Sequence, residues 1–309
     1  MSASRRQFLG GAGALATLPW LFGPVRAAAP PAPATLSFLA LGDWGQPRAL
    51  ADATTVAAQL AQEARTRAAA FIISTGDNFY DRGVADTADP LWQAAFETIY
   101  ADPALQVPWY VVLGNHDYGG QPDAELAYAL RSDRWTLPAR YYVEQYRLID
   151  GTGADFFFLD TTGLVNLNFG NRWFFTGAAA RAQLDWLDTM LGASTARWKI
   201  VVGHHPVFSH GAHGDSPALV EGVLPILQRH RVQIYLNGHD HNLEHAERDG
   251  IHFLTSGGGA EQRPVTPVEP PGFAAASLGF LSATLAPDRL EITFIDQTGT
   301  PLHQATIPA

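Results

Sequence analysis

The chain has 309 residues, of which 47% are hydrophobic and 16% charged, and it contains no cysteine. This composition is that of a globular protein, and it excludes disulfides, thiolate metal sites and cysteine nucleophiles. A formal net charge of -10 argues against general binding to nucleic acids or to anionic membranes, and any metal ion must use oxygen and imidazole ligands.

The N-terminus carries the first recognisable pattern. Arg5 and Arg6 precede a mildly apolar stretch, GGAGALATLPWLFG, and small residues suited to signal cleavage follow it. This arrangement is typical of a twin-arginine (Tat) export signal. We therefore assign residues 1–27 to a signal peptide and 28–35 to an Ala/Pro-rich linker. The expected location is the periplasm or the medium, reached through the Tat export machinery, with no stable membrane anchor after cleavage.

From residue 36 onward, apolar runs alternate with helical stretches. The stretch 47–70 begins with proline, a favourable residue in the first turn, and predicts a helix. Several of the apolar runs lack alternation, as expected for strands that are buried on both faces. Five of them end in a polar motif, in the order TLSFLAL-GDWG, FIIST-GDNFY, VPWYVVL-GNHD, WKIVV-GHHP and VQIYLN-GHDH.

The position of these motifs predicts one shared site. Ligands of open α/β sheets bind beyond the carboxyl ends of the strands, so the five loops are expected along one edge. Two further pairs of runs predict hairpins, 140–150 with 154–161 and 280–286 with 290–296. The hairpins suggest a second, partly antiparallel sheet that packs on the first.

Histidines concentrate in the polar motifs. Four lie in residues 204–213 and three in 239–245, while Asp43, Asp77 and Asn115 follow other strands. A single histidine of this kind is more often a packed core or surface residue. Five motifs of one chemical kind, each in the same structural context, instead predict a metal site.

In this order, the motifs resemble the metal-binding blocks of the calcineurin-like metallophosphoesterases. Within that superfamily they are similar to purple acid phosphatases, especially the small, tartrate-resistant mammalian type. Most of the superfamily begins with Asp-x-His, whereas Asp43 is followed by Trp44 and Gly45. Purple acid phosphatases share this gap and fill it with a tyrosine three residues after the second aspartate, where Tyr80 stands. The resemblance covers roughly residues 36–300.

The resemblance implies an α/β fold, a metallophosphoesterase-type α/β/β/α sandwich of two mixed sheets over residues 36–309, and a centre of two metal ions. Asp77 would bridge a ferric ion and a second, divalent ion of iron, zinc or manganese. The other implied ligands are Asp43, Tyr80 and His241 for the ferric ion, and Asn115, His204 and His239 for the divalent ion. Ligand chemistry agrees, because phenolate and carboxylate are the hardest anions available.

The implied activity is that of an exported acid phosphatase, which hydrolyses small phosphate monoesters with a metal-bound hydroxide as nucleophile. His116 and His213 match the family's two histidines near the scissile bond and would stabilise or protonate the leaving group. For His205, which replaces a tyrosine frequent in such relatives, a surface position and a substrate contact both stay open. The loop 163–176, with its aromatic residues, is expected to help wall the site.

Two alternative functions stay open. One is a phosphodiesterase or nucleotidase with two divalent ions, which would be colourless and prefer a diester. The other is a secreted binding protein that keeps metal as a structural clip and has no turnover. A full ligand set argues against the second, because structural sites are usually closed by protein ligands.

Overall fold

The computed structural model describes residues 32–165, 177–268 and 272–309. The predicted signal peptide, the first part of the linker and residues 166–176 of the aromatic loop lie outside these ranges, so the predictions made for them stay predictions.

The described residues form fourteen strands and five α-helices. The strands are β1 Leu36–Leu41, β2 Phe71–Ser74, β3 Trp109–Val111, β4 Trp135–Thr136, β5 Tyr142–Arg147, β6 Gly153–Phe158, β7 Trp198–Val202, β8 Ile234–Asn237, β9 Leu243–Arg248, β10 Ile251–Ser256, β11 Phe273–Ala275, β12 Gly279–Leu285, β13 Arg289–Asp296 and β14 Pro301–Pro308. The helices are α1 Leu50–Arg67, α2 Pro122–Tyr128, α3 Gly177–Ala193, α4 Pro217–Gly222 and α5 Leu224–Arg229.

The strands form two seven-stranded mixed sheets. Their orders are β14-β13-β12-β1-β2-β3-β4 and β11-β9-β10-β8-β7-β6-β5. Both predicted hairpins are confirmed, as the antiparallel pairs β5–β6 and β12–β13. The expectation that they build the second sheet together is wrong. Because β12 pairs antiparallel with the free side of β1, its hairpin extends the first sheet, whereas β6 pairs parallel with β7 in the second.

Apolar side chains fasten the two sheets face to face. The ring of Phe156 on β6 packs edge-on against Phe38 of β1 and Phe71 of β2, with centroids 5.4 Å apart in both pairs. Helix α1, which the stretch 47–70 predicted, contacts β1 and β12 on the outer face of the first sheet. Helices α3, α4 and α5 share a second cluster with the second sheet, in which Leu187 and Leu227 join Val201. The predicted α/β/β/α sandwich is therefore confirmed.

Parallel strands in both sheets end at the same side of the sandwich. Gly42, after β1, donates its backbone N–H to the Ser256 carbonyl at the end of β10 at 2.8 Å. The Thr75 hydroxyl, after β2, donates to the same carbonyl at 3.1 Å. The five motifs thus follow strands of two facing sheets, and the expectation of one sheet edge is wrong. Beyond β3, the first sheet ends in the two-residue strand β4. The next parallel strands, β6, β7 and β8, lie in the second sheet.

Candidate metal centre

Three of the predicted ligands have left-handed backbone conformations, each directly after a glycine. The φ angle is 60° at Asp43, 49° at Asp77 and 70° at His239. Such φ values are uncommon for residues with a Cβ, and they cluster where function requires a sharp turn. Two glycines permit the close approach of neighbouring loops: a Cβ at Gly238 would lie 2.5 Å from Asp43 Oδ2, and one at Gly114 would collide with the Asp77 carboxylate.

One group of donor atoms surrounds the Tyr80 hydroxyl. This oxygen lies 2.9 Å from Asp43 Oδ1, 3.0 Å from Asp77 Oδ2 and 3.2 Å from His241 Nε2. His241 Nε2 is also 3.5 Å from Asp43 Oδ1. Three oxygens and one imidazole nitrogen, drawn from three different loops, therefore point at a common centre.

A second group surrounds His204 Nε2. This nitrogen lies 3.3 Å from Asp77 Oδ2, 3.2 Å from Asn115 Oδ1 and 3.2 Å from His239 Nδ1. Asp77 Oδ2 thus faces both groups. All seven expected ligands come together, in the same two sets that the family resemblance implies.

The His204 ring is oriented by the backbone behind it. Its Nδ1 lies 2.9 Å from the Thr75 carbonyl, which can only accept a hydrogen bond. The neutral ring therefore carries its proton on Nδ1 and presents the lone pair of Nε2 to the donor group, as a metal ligand must.

Backbone N–H groups satisfy the outer oxygens of both aspartates. His239 N–H donates to Asp43 Oδ2 at 3.0 Å, and His116 N–H donates to Asp77 Oδ1 at 2.7 Å. Asp43 Oδ1 and Asp77 Oδ2 are consequently the oxygens directed at the shared centre.

The charges of this cluster call for added cations. Asp43 and Asp77 are buried, and no arginine or lysine of the described ranges forms an ion pair with either. Burial raises the pKa of Asp43 well above its ordinary value. Burial and the two neighbouring carboxylates likewise raise the pKa of Tyr80, so phenolate forms there only beside strong positive charge.

Protons and metal ions compete for this cluster. Burial opposes a charged imidazole at His204, but the Asp77 carboxylate raises the pKa of His204 to about 9. Binding of a metal ion displaces that proton. Oxygen and imidazole donors without sulfur, converging in two sets that share one carboxylate, fit a dinuclear centre of hard and borderline cations.

Asp117 ties two of the ligand-bearing loops together, a role that sequence reasoning missed. Its carboxylate accepts backbone N–H bonds from Gly114 at 2.8 Å, Asn78 at 2.9 Å and Phe79 at 3.0 Å. The only sequence signal was its place at the end of GNHD. The neighbouring His116 has its Nδ1 2.8 Å from the Asp81 carbonyl.

The two predicted leaving-group histidines flank the cluster. The His116 ring packs against Tyr80, with centroids 4.3 Å apart, and the His213 ring packs against His239 at 4.2 Å. His213 Nδ1 lies 2.8 Å from Asp240 Oδ1. Although burial opposes ionisation, hydrogen bonds from His213 and Ser209 lower the pKa of Asp240 to about 2. Asp240, the third letter of GHDH, was not predicted to have a role.

His205 is buried, so the surface interpretation of this residue is wrong. One of its ring nitrogens lies within 4.8 Å of nitrogens of His204 and His239. Thr161 Oγ1 accepts the backbone N–H groups of His204 and His205 and also lies 2.9 Å from His205 Nδ1. With both lone pairs used, the hydroxyl donates to Nδ1, and the neutral ring carries its proton on Nε2. In this tautomer His205 is a hydrogen-bond donor rather than a metal ligand.

Comparisons with known proteins agree with this geometry. Residues 36–243 match the family described as calcineurin-like phosphoesterase. Over 292 residues the chain is 38% identical to purple acid phosphatase 4 of Arabidopsis thaliana, covering 89% of this chain and 84% of that protein. It is 36% identical over 299 residues to tartrate-resistant acid phosphatase type 5 of Sus scrofa, with coverages of 88% and 87%. The solved structure of GAP50, described as the anchor in the inner membrane complex of Plasmodium, superposes with a TM-score of 0.80 at 26% identity and covers 89% of each chain.

Proposed function

Because the chain belongs to the purple acid phosphatases of the calcineurin-like phosphoesterase family, we propose that it hydrolyses phosphate monoesters at a dinuclear centre bridged by Asp77. The observation that carries this proposal is the position of Asp77 Oδ2, which lies 3.0 Å from the Tyr80 hydroxyl and 3.3 Å from His204 Nε2. The acid phosphatases of Arabidopsis thaliana and Sus scrofa, related over most of the chain, support the same reaction.

Membership of the purple acid phosphatases implies an iron-based centre of two metals. We propose a ferric ion among Asp43, Tyr80 and His241, because a phenolate is a favoured ligand for a hard trivalent cation. A divalent ion of iron, zinc or manganese would take the side of Asn115 and His204, where imidazole and amide donors dominate.

When bound, the two ions would neutralise the phosphate oxygens and activate a water molecule for attack on phosphorus. The side chains of the protein orient the substrate and protonate its leaving group. Asp240 holds one proton of His213 on Nδ1, which leaves Nε2 as the atom that, once protonated, donates a hydrogen bond or a proton to the leaving oxygen. His116 would contact the phosphate from the side of Tyr80.

Two observations bear on the alternatives. Convergence of Tyr80 with two carboxylates favours the ferric phosphatase over an enzyme with two divalent ions, which have little use for a phenol at neutral pH. The likeness to GAP50, whose description is that of an anchor, is the reason to test for a metal-containing binding protein.

The test is turnover by the purified chain loaded with iron and zinc. Phosphate release from p-nitrophenyl phosphate and from bis(p-nitrophenyl) phosphate is compared between the wild type and Asp77→Asn, a variant of equal size that lacks the bridging charge. We expect preference for the monoester and a loss of at least about 100-fold in Asp77→Asn. Two bound metals without turnover would indicate a binding protein. Preference for the diester would indicate a phosphodiesterase.

We also propose export by the Tat pathway. The supporting feature is the Arg5-Arg6 pair ahead of the mildly apolar stretch. Among residues 32–165, 177–268 and 272–309, no helix has the length and apolar character required to cross a membrane.

A further inference from the structure

Arg263 lies at the rim of the centre and has an anchored backbone. Its N–H donates to the carbonyl of His241 at 2.8 Å, so the segment after β10 is fixed directly to a predicted ligand. Its Nη1 lies 3.3 Å from His213 Nε2. The guanidinium is therefore placed at the outer side of the leaving-group histidine.

The charge of Arg263 is not neutralised locally. Within the described part of the chain, no carboxylate forms an ion pair with it. The nearby Glu261 carboxylate lies 3.6 Å from His241 Nδ1 instead.

Most hydrogen-bonding capacity of the Arg263 side chain is unused. A guanidinium presents five N–H donors in a rigid fork that matches a carboxylate or a phosphate. Among the described residues, His213 is its one hydrogen-bond partner. A partly buried arginine with free donors, beside the atom that faces the leaving group, has the chemistry of an anion site.

We propose that Arg263 binds a second anionic group on the leaving-group side of the substrate, which gives this enzyme a preference for phosphate esters and anhydrides whose leaving group is, or carries, a second phosphate or a carboxylate. The inference rests on the proposed phosphatase function. Water adds to the scissile phosphorus, the P–O bond to the leaving group breaks, and the leaving oxygen takes up a proton. Arg263 itself transfers nothing and acts by binding.

Binding of that anion also frees His213. Because Asp240 holds the proton on Nδ1, the lone pair of His213 Nε2 accepts from Arg263. An anion that takes the guanidinium removes this donor, so Nε2 is free to carry the proton that the leaving oxygen takes up. Substrates without a second anion have to compete with Arg263 for the same atom.

The experiment compares substrates with and without the second anion. kcat/KM is measured for 3-phosphoglycerate against glycerol 3-phosphate, and for pyrophosphate against p-nitrophenyl phosphate, in the wild type, Arg263→Gln and Arg263→Lys. Arg289→Gln is the matched charge control. Arg289 pairs with Glu291 in the β12–β13 hairpin, beside the start of β1. Asp43 follows the opposite end of β1, so Arg289 lies away from the proposed metal centre.

For each pair, the ratio compares kcat/KM of the substrate with the second anion to that of the substrate without it. We expect Arg263→Gln to lower this ratio at least about tenfold for at least one pair, mainly through KM. Arg263→Lys should retain part of the preference, and Arg289→Gln should leave both ratios unchanged. An effect confined to one pair assigns the site to phosphate or to carboxylate. Equal losses for all four substrates would mean that Arg263 only positions His213 and would overturn the proposal.

A binding measurement separates this inference from the proposed function. Methylenediphosphonate and methylphosphonate, which resist hydrolysis, are titrated calorimetrically into the metal-loaded protein and into Arg263→Gln. If the wild type binds both but hydrolyses no substrate, the phosphatase function fails while Arg263 is still tested. Tighter binding of the diphosphonate that is lost in Arg263→Gln supports the anion site, and equal affinities in both proteins contradict it.

Discussion

The Tyr80 hydroxyl and the Asp77 carboxylate lie 3.0 Å apart, and the same carboxylate oxygen faces His204 in the second donor group. Asp77 therefore occupies a position from which its carboxylate can serve both proposed ions. Its backbone conformation, with φ at 49°, is set by the turn that directs it there.

The bridging position predicts how metal content responds to substitution. Asp77→Ala removes a ligand from both sites, so both metals should be lost or weakened together. His204→Ala and His239→Ala should mainly deplete the divalent ion, because both imidazoles lie in the second donor group. Metal analysis of dialysed protein measures this, with the exposed Asp288→Ala as the control. Two tightly bound metals and normal activity in Asp77→Ala would place the bridge elsewhere.

The His213–Asp240 pair predicts a dependence on the leaving group. An alkoxide is a poor leaving group and needs a proton, whereas an activated phenolate leaves with less help. His213→Ala should therefore slow alkyl phosphates by about 10²–10⁴-fold and aryl phosphates much less, with the metals retained. His210→Ala, in the same loop but hydrogen-bonded to Glu244, is the control. Equal losses for both substrate types would move the general-acid role to His116 or to water.

Three imidazoles outside the centre predict a loss of stability in acid. His245 Nδ1 lies 3.0 Å from His303 Nε2, and its Nε2 lies 2.9 Å from His252 Nδ1. Burial, then the charges of His252 and His303, lower the pKa of His245 to about 4. As pH falls below about 6.5, the unfolded chain takes up a proton at His245 before the folded protein does. The stability that neutral His245 contributes is therefore fully present above that pH and is lost progressively toward pH 4.

The shift corresponds to about 3 kcal/mol of pH-dependent free energy of unfolding. His245→Phe removes the titrating group, so its stability should fall less steeply than that of the wild type between about pH 6.5 and 4. Urea unfolding across this range gives both slopes. Other titrating groups contribute to both proteins, and identical slopes would show that His245 does not titrate in the fold as its burial requires.

The proposed Tat export would depend on the receptor-read twin arginine. Replacing Arg5 and Arg6 together by lysine keeps the charge and should leave the precursor in the cytoplasm. Replacing Arg26, which lies beyond the apolar stretch, by lysine is the control. Cell fractionation and immunoblotting measure the distribution, and normal export of the double variant would indicate a different route.

The ligand loops could be predicted because each motif is local. A buried strand, a glycine and a polar side chain lie within a few residues, so Asp43, Asp77 and His204 are visible in the sequence alone. The family resemblance added the division into two donor sets and the role of Tyr80.

The supporting contacts could not be predicted, because they join residues that are distant in the chain and have no common pattern. Thr161 and His205 are 44 positions apart, Asp240 and His213 are 27, and Arg263 and His213 are 50. The sheet to which each motif belongs could likewise not be predicted from the sequence. The apolar runs before GNHD and GHHP look alike, yet they end up in different sheets.

The most direct test of the ferric–phenolate centre is the visible absorption spectrum of purified, iron-loaded protein, recorded with its metal content. Charge transfer from the Tyr80 phenolate to ferric iron should give a visible band. In Tyr80→Phe this band should disappear while part of the iron stays bound. A wild-type protein that carries its full iron content and has no visible band, or a band that persists unchanged in Tyr80→Phe, would contradict the assignment.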